Sequence, residues 1–175
     1  MIPERLEFQS FLFRLAFCVM ACDGHIDDRE VKEIRDMNKT SAYFQGIDLS
    51  DELDILLAEL KTRGKHIVDE LFEKLTKFDI STVQELLILE IAFRMITADK
   101  KHDENEIKFV RYLRSKLKVH DEIIRNRFGT VEYLFDKDYS HDVVRKETKE
   151  DLFSSVVIPE FKDIIAVDFS DLKNK

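Results

Sequence analysis

The chain repeats itself, and that repeat limits the folds open to it. Offset by 76 residues, residues 11–37 align with 87–113 and give identical pairs at Ala16/Ala92, Phe17/Phe93, Asp23/Asp99, Asp27/Asp103, Glu30/Glu106, Lys32/Lys108 and Arg35/Arg111. Leu15/Ile91, Asp28/Glu104, Val31/Ile107 and Met37/Leu113 are conservative pairs. Given the composition bias of soluble proteins, chance supplies about two identities in such a window. Each copy follows one plan: an apolar stretch, an acidic turn, then an amphipathic stretch. A recurring unit of this kind cannot bury its apolar face alone, so the two copies are expected to share one core.

Both apolar stretches read as helices. Over 4–22, Leu6, Phe8, Phe11, Leu12, Phe13, Leu15, Phe17, Val19 and Met20 cover most of a helical circumference, and Val83, Leu86 to Leu89, Ile91, Phe93, Met95 and Ile96 do the same over 82–98. Helices apolar nearly all round are central ones. Ser81 with Gln84 forms a capping box before the second. Gly24 closes the first, and Asp27 caps the next helix with Glu30 three residues on. Further helices are expected over 51–62, 65–77, from 103 onward, and over 121–128, with breaks at Gly64 and Gly129. Four Gly and two Pro in 175 residues suit long helices better than a turn-rich β fold. The expected fold is therefore all-α, a bundle of about 7–8 helices built by internal duplication. The bundle is assigned to residues 1–129, with repeat units of about 5–38 and 81–118, and residues 130–175 are a C-terminal extension packing on or projecting from it. Two β-branched runs, 156–158 and 164–167, flank Pro159 and suggest a short β hairpin or an extended tail.

Charge narrows the partners. Lys plus Arg is 28 against 36 Asp plus Glu, a net charge of −8. Nucleic-acid binding draws on neutralised phosphates, and anionic membranes repel such a chain, so neither is expected. No stretch suits a signal peptide or a membrane span. Cys18 and Cys22, at helical i, i+4 spacing, are poor disulfide partners and fit a reducing cytoplasm. As zinc ligands with His25 they lack a fourth partner, because the repeat places Arg94, Ala98 and Lys101 opposite them. Lys108, Arg111, Arg114, Lys116 and Lys118 form a basic run, read as an ion-paired helix face. No phosphate-binding or catalytic signature appears.

The segment Ala21-Cys22-Asp23-Gly24-His25-Ile26-Asp27-Asp28-Arg29-Glu30 resembles the repeated A-x-D-G-x-I-x-x-x-E turn of the tellurite-resistance TerB family, whose all-helical fold also occurs as the N-terminal domain of DjlA-type co-chaperones. The second copy departs from it, with Lys100 for Gly and His102 for the apolar residue. The resemblance covers roughly residues 5–120. It implies a non-catalytic, bacterial, cytoplasmic stress-response module that acts by protein interaction. It also implies a candidate divalent-cation site (Ca, Mg or Mn) at the paired turns: Asp23, Asp27, Glu30, Asp99, Asp103 and Glu106. The residues themselves leave helix capping open. Asp27 and Asp103 suit N-caps, and an EF-hand fails because Val19 and Ala21 stand where its first ligands belong. Two alternatives remain, a metal-dependent hydrolase using the paired carboxylates and a purely structural adaptor, and a homodimer is open in each.

Overall fold

The computed structural model describes residues 1–22, 28–64, 66–98 and 104–135. Among them are eight helices and no strand: α1 (Arg5–Ala21), α2 (Asp28–Thr40), α3 (Leu49–Arg63), α4 (His66–Lys77), α5 (Thr82–Ala98), α6 (Glu104–Ser115), α7 (Asp121–Phe128) and α8 (Glu132–Phe135). The described residues form the expected all-α bundle. Its boundaries fall where local chemistry puts them. Ser81 N–H donates to Gln84 Oε1 (2.9 Å) and Gln84 N–H to Ser81 Oγ (3.3 Å), closing the capping box that starts α5. Gly64 (φ +54°) follows α3 and Gly129 (φ +77°) stops α7, both in backbone conformations that side chains with a Cβ resist.

The two apolar helices lie against each other at the centre. α2 packs on α5, α6 on both α5 and α1, α4 on α1 and α3, and α8 on α6. Along α1, Leu12, Leu15, Ala16, Phe17, Val19 and Met20 are at most 1% exposed. Along α5, Ile88, Leu89, Ile91, Ala92, Met95 and Ile96 have no exposed surface. Ala16 and Ala92 are both fully buried, as the shared core requires.

Five residues of the expected apolar circumference are not fully buried: Leu6, Val83, Leu86, Leu87 and Phe93. Leu6 and Val83, in the first turns of α1 and α5, are 55% and 75% exposed, because the bundle covers these helices from their second turn onward. Phe93 is only partly buried. Its ring lies under α7 and α8, 5.0 Å from the Phe128 ring and 6.4 Å from Tyr133.

Helix α8 packs on α6 and buries Leu134, so the bundle continues past Gly129 into the start of the C-terminal extension. The expected hairpin or extended tail around 156–158 and 164–167 lies outside the described residues. No described helix is long and apolar enough to cross a membrane.

Candidate functional site

Both acidic turns follow the C-terminal ends of the central helices. Asp23, Asp27, Asp99 and Asp103 lie outside the described residues. Glu30 and Glu106 lie within them, each the third residue of its helix, α2 and α6. Both are buried, with exposures of 1% and 0%. Glu106 acts on a neighbour. Burial pushes the Tyr133 phenol up to about 12, and the negative charge of Glu106 adds to the rise. The Tyr133 carbonyl accepts a bond from Arg111 Nε at 2.7 Å, which holds α8 against α6. Among the described residues, no group of three or more His, Cys, Asp or Glu side chains is placed to hold a metal. Of the six proposed ligands, the structure thus locates one from each turn, in equivalent buried positions.

Two buried polar side chains that sequence reasoning passed over extend the repeat. Gln9 is 6% exposed, and its Nε2 donates to the Ala42 carbonyl (3.1 Å) in the loop after α2. Glu85 is 4% exposed, and its carboxylate accepts from the backbone N–H groups of Lys118 (3.0 Å) and Val119 (2.6 Å) in the loop after α6. Residue 85 is 76 beyond residue 9, and 118 is 76 beyond 42, the offset of the repeat. In each copy, then, a polar residue near the start of the central helix ties down the loop that leaves the second helix. The bond is reversed between copies, with an amide donating in one and a carboxylate accepting in the other. A signal was present: a polar residue stands at the same offset inside each apolar stretch.

The outward positions are tied by ion pairs. Arg14 on α1 meets Glu52 (3.4 Å) and Glu59 (3.1 Å) on α3, and Ser10 Oγ donates to Glu52 (2.9 Å). Glu90 on α5 accepts from the Tyr43 hydroxyl (2.8 Å) and from Arg127 on α7 (3.1 Å). Arg94 bonds Glu33 on α2 at 2.5 Å. Of the basic run, Lys108, Arg111 and Arg114 lie on α6, whereas Lys116 and Lys118 follow it. Lys108 pairs with Glu104 (3.3 Å), Arg114 with Asp121 (2.7 Å), and the Lys116 ammonium sits 4.9 Å from the centre of the Tyr112 ring.

Cys18 and Cys22 are buried thiols. Burial pushes Cys18 up to about 12, and Cys22 Sγ donates to the Val19 carbonyl at 3.1 Å. A thiol held protonated in an apolar interior packs as a small hydrophobe. Among the described residues, the surface clefts include two. One, of about 510 Å³, lies between α1, α3 and α4, with Arg14 and Lys74 at its edge and Phe11 and Leu71 among its apolar lining. The other, of about 440 Å³, lies at the N-terminal ends of α1 and α5.

No protein-family model matches the chain, and neither a curated protein nor a solved structure matches it.

Proposed function

We propose that this chain is a non-catalytic, TerB-like module of the bacterial cytoplasm, linked to stress responses, that binds a protein partner and holds a hard divalent cation at its duplicated acidic turns. The observation that carries the cation reading is the burial of Glu30 and Glu106 at matching positions of α2 and α6. A glutamate that only completes a capping box at a helix start can do so at the surface. A carboxylate held inside the bundle is costly to desolvate and gains from nearby positive charge. With Asp23, Asp27, Asp99 and Asp103 in the adjoining turns, each buried glutamate has two aspartates close by in sequence. Oxygen-rich sets of this kind suit calcium, magnesium or manganese. Cation occupancy would stiffen both turns and so set the relative positions of α1, α2, α5 and α6 for a partner.

Thermal unfolding tests this. A cation that binds only the folded chain adds RT ln(1 + [L]/Kd), about 2.7 kcal/mol at a hundredfold excess over Kd. Millimolar calcium or manganese should raise the Tm of the wild type, and the rise should vanish in the Asp23→Asn/Asp99→Asn variant. If cations leave the wild type unmoved and the double variant is equally or more stable, the aspartates only cap and turn the helices, and the cation reading fails.

A further inference from the structure

Four of the six exposed large hydrophobics among the described residues gather at one end of the bundle: Met1, Ile2, Leu6 and Val83. Met1 and Ile2 lead into α1, Leu6 lies in its first turn, and Val83 lies in the first turn of α5. A backbone bond from Asp79 N–H to the Met1 carbonyl (2.6 Å) holds the two helix starts side by side. Between them opens the cleft of about 440 Å³, lined by Pro3, Phe8, Leu12 and Leu87, with Arg5 and Tyr43. Surface hydrophobics scattered singly are ordinary, whereas a gathered patch rimmed by polar residues marks an interaction face. The charges on this rim are unmatched within the described residues. Arg5 bonds the neutral Gln45 amide (2.9 Å), no carboxylate pairs with it, and no cation pairs with the exposed Glu4.

We propose that this end of the bundle is a homodimer interface, at which two copies of the chain meet about a two-fold axis. In such a contact residue i meets j while j meets i, so the face must complement itself. It does so in shape, because apolar side chains stand out of the surface beside an apolar cleft and each copy supplies what the cleft of the other receives. It does so in charge, because Glu4 and Arg5 are neighbours, and Arg5 of each copy can meet Glu4 of the other. Charge matching of this kind fixes register and excludes wrong partners more than it adds affinity. The contact is small. A standard interface takes about 800 Å² from each partner, and smaller ones belong to transient pairs. Four side chains around one cleft fall in the smaller class, which sets a Kd of about 10–100 µM. The net charge of −8 opposes association at long range, but at physiological salt its reach is only about 8 Å, which leaves the apolar contact to decide.

Sedimentation equilibrium on the full chain, over about 1–300 µM protein in about 150 mM salt, tests the assignment. The average mass should climb from monomer toward dimer across that range. Leu6→Glu/Val83→Glu should hold the chain monomeric throughout. Both side chains are exposed, so the bundle keeps its Tm. Val83→Glu alone should raise Kd at least about tenfold, by placing a charge in an apolar contact. Arg5→Glu should raise Kd about fivefold, because it sets like charges opposite each other, and Glu4→Arg/Arg5→Glu should bring it back. A chain that stays monomeric at the highest concentration overturns the proposal, as does a dimer whose Kd ignores Leu6 and Val83. A Kd that Arg5→Glu leaves unmoved, or that the double reversal fails to recover, equally overturns it, since the two-fold contact requires both.

Discussion

The two copies of the repeat agree where they face each other and differ where they face the rest of the chain. Leu12/Ile88, Leu15/Ile91, Ala16/Ala92, Val19/Met95 and Met20/Ile96 occupy equivalent positions, and every one of these side chains is at most 1% exposed. One turn away the pairs diverge. Arg14 answers two glutamates on α3, whereas its counterpart Glu90 answers Tyr43 and Arg127. Cys18 is buried, whereas its counterpart Arg94 reaches Glu33 on α2. Phe17 is fully buried, whereas the identical Phe93 is a partly covered platform for α7 and α8. The shared face is constrained by packing density, since α1 packs on α5 and every one of these side chains is buried in one core. The outer face follows whichever element lies over it: α3 at Arg14, the loop after α2 and α7 at Glu90, α2 at Arg94, and α7 and α8 at Phe93.

The sharpest way to break this comparison is to cut the same residue from both copies. Phe17→Ala should cost about 3–5 kcal/mol, the usual loss for a fully buried ring, measured by urea unfolding. Phe93→Ala should cost about 1–2 kcal/mol, since part of its ring is already in water. Equal losses would mean that the copies are equivalent on their outer faces too.

A smaller effect sharpens the loop ties. Glu85→Ala strands the Lys118 and Val119 N–H groups and should cost about 2–3 kcal/mol, because the lost acceptor is a buried charge. Gln9→Ala removes one neutral bond to Ala42 and should cost about 1 kcal/mol. If Gln9→Ala is the more damaging, the two ties are not counterparts.

The smallest effect is electrostatic. The Tyr133 phenol titrates at about 12 in the folded chain, against about 10 when unfolded. The neutral phenol is thus the form that the fold favours. Its stabilising contribution is complete below pH 10 and is lost as pH rises toward 12. Tyrosinate absorbance should show Tyr133 ionising late, alongside Tyr43, whose phenol is also raised by burial and by its bond to Glu90. Glu106→Gln should lower that pKa while leaving it above 10, because burial is the larger cause. An unchanged titration would separate Glu106 from α8.

Much of the bundle was legible from spacing and breakers alone. The expected helices over about 82–98 and 121–128 are α5 and α7, since a capping box opens the first and Gly129 stops the second. α8 was not legible: four residues carry no period, and the helix exists because Tyr133 and Leu134 find α5 and α6 beneath them. Of the candidate cation site, the twin positions of Glu30 and Glu106 were readable as identities in the repeat. Their burial was not, because a glutamate three residues into a helix is equally suited to solvent.

Sequence by itself determined the class of the fold, the duplication and the pairing of the two apolar helices, because periodicity and repetition act through the chain's own covalent order. Tertiary structure alone decided which side of each central helix became core, and which became a platform or a salt-bridged seam. It also decided that Gln9 and Glu85 would turn inward to tie a loop. Those outcomes depend on what arrives from far along the chain: an α3 carboxylate beside Arg14, an α7 guanidinium beside Glu90, two bare N–H groups beside Glu85. A buried polar group settles where its partner is, and the partner's position is a property of the packed bundle rather than of any local stretch of sequence.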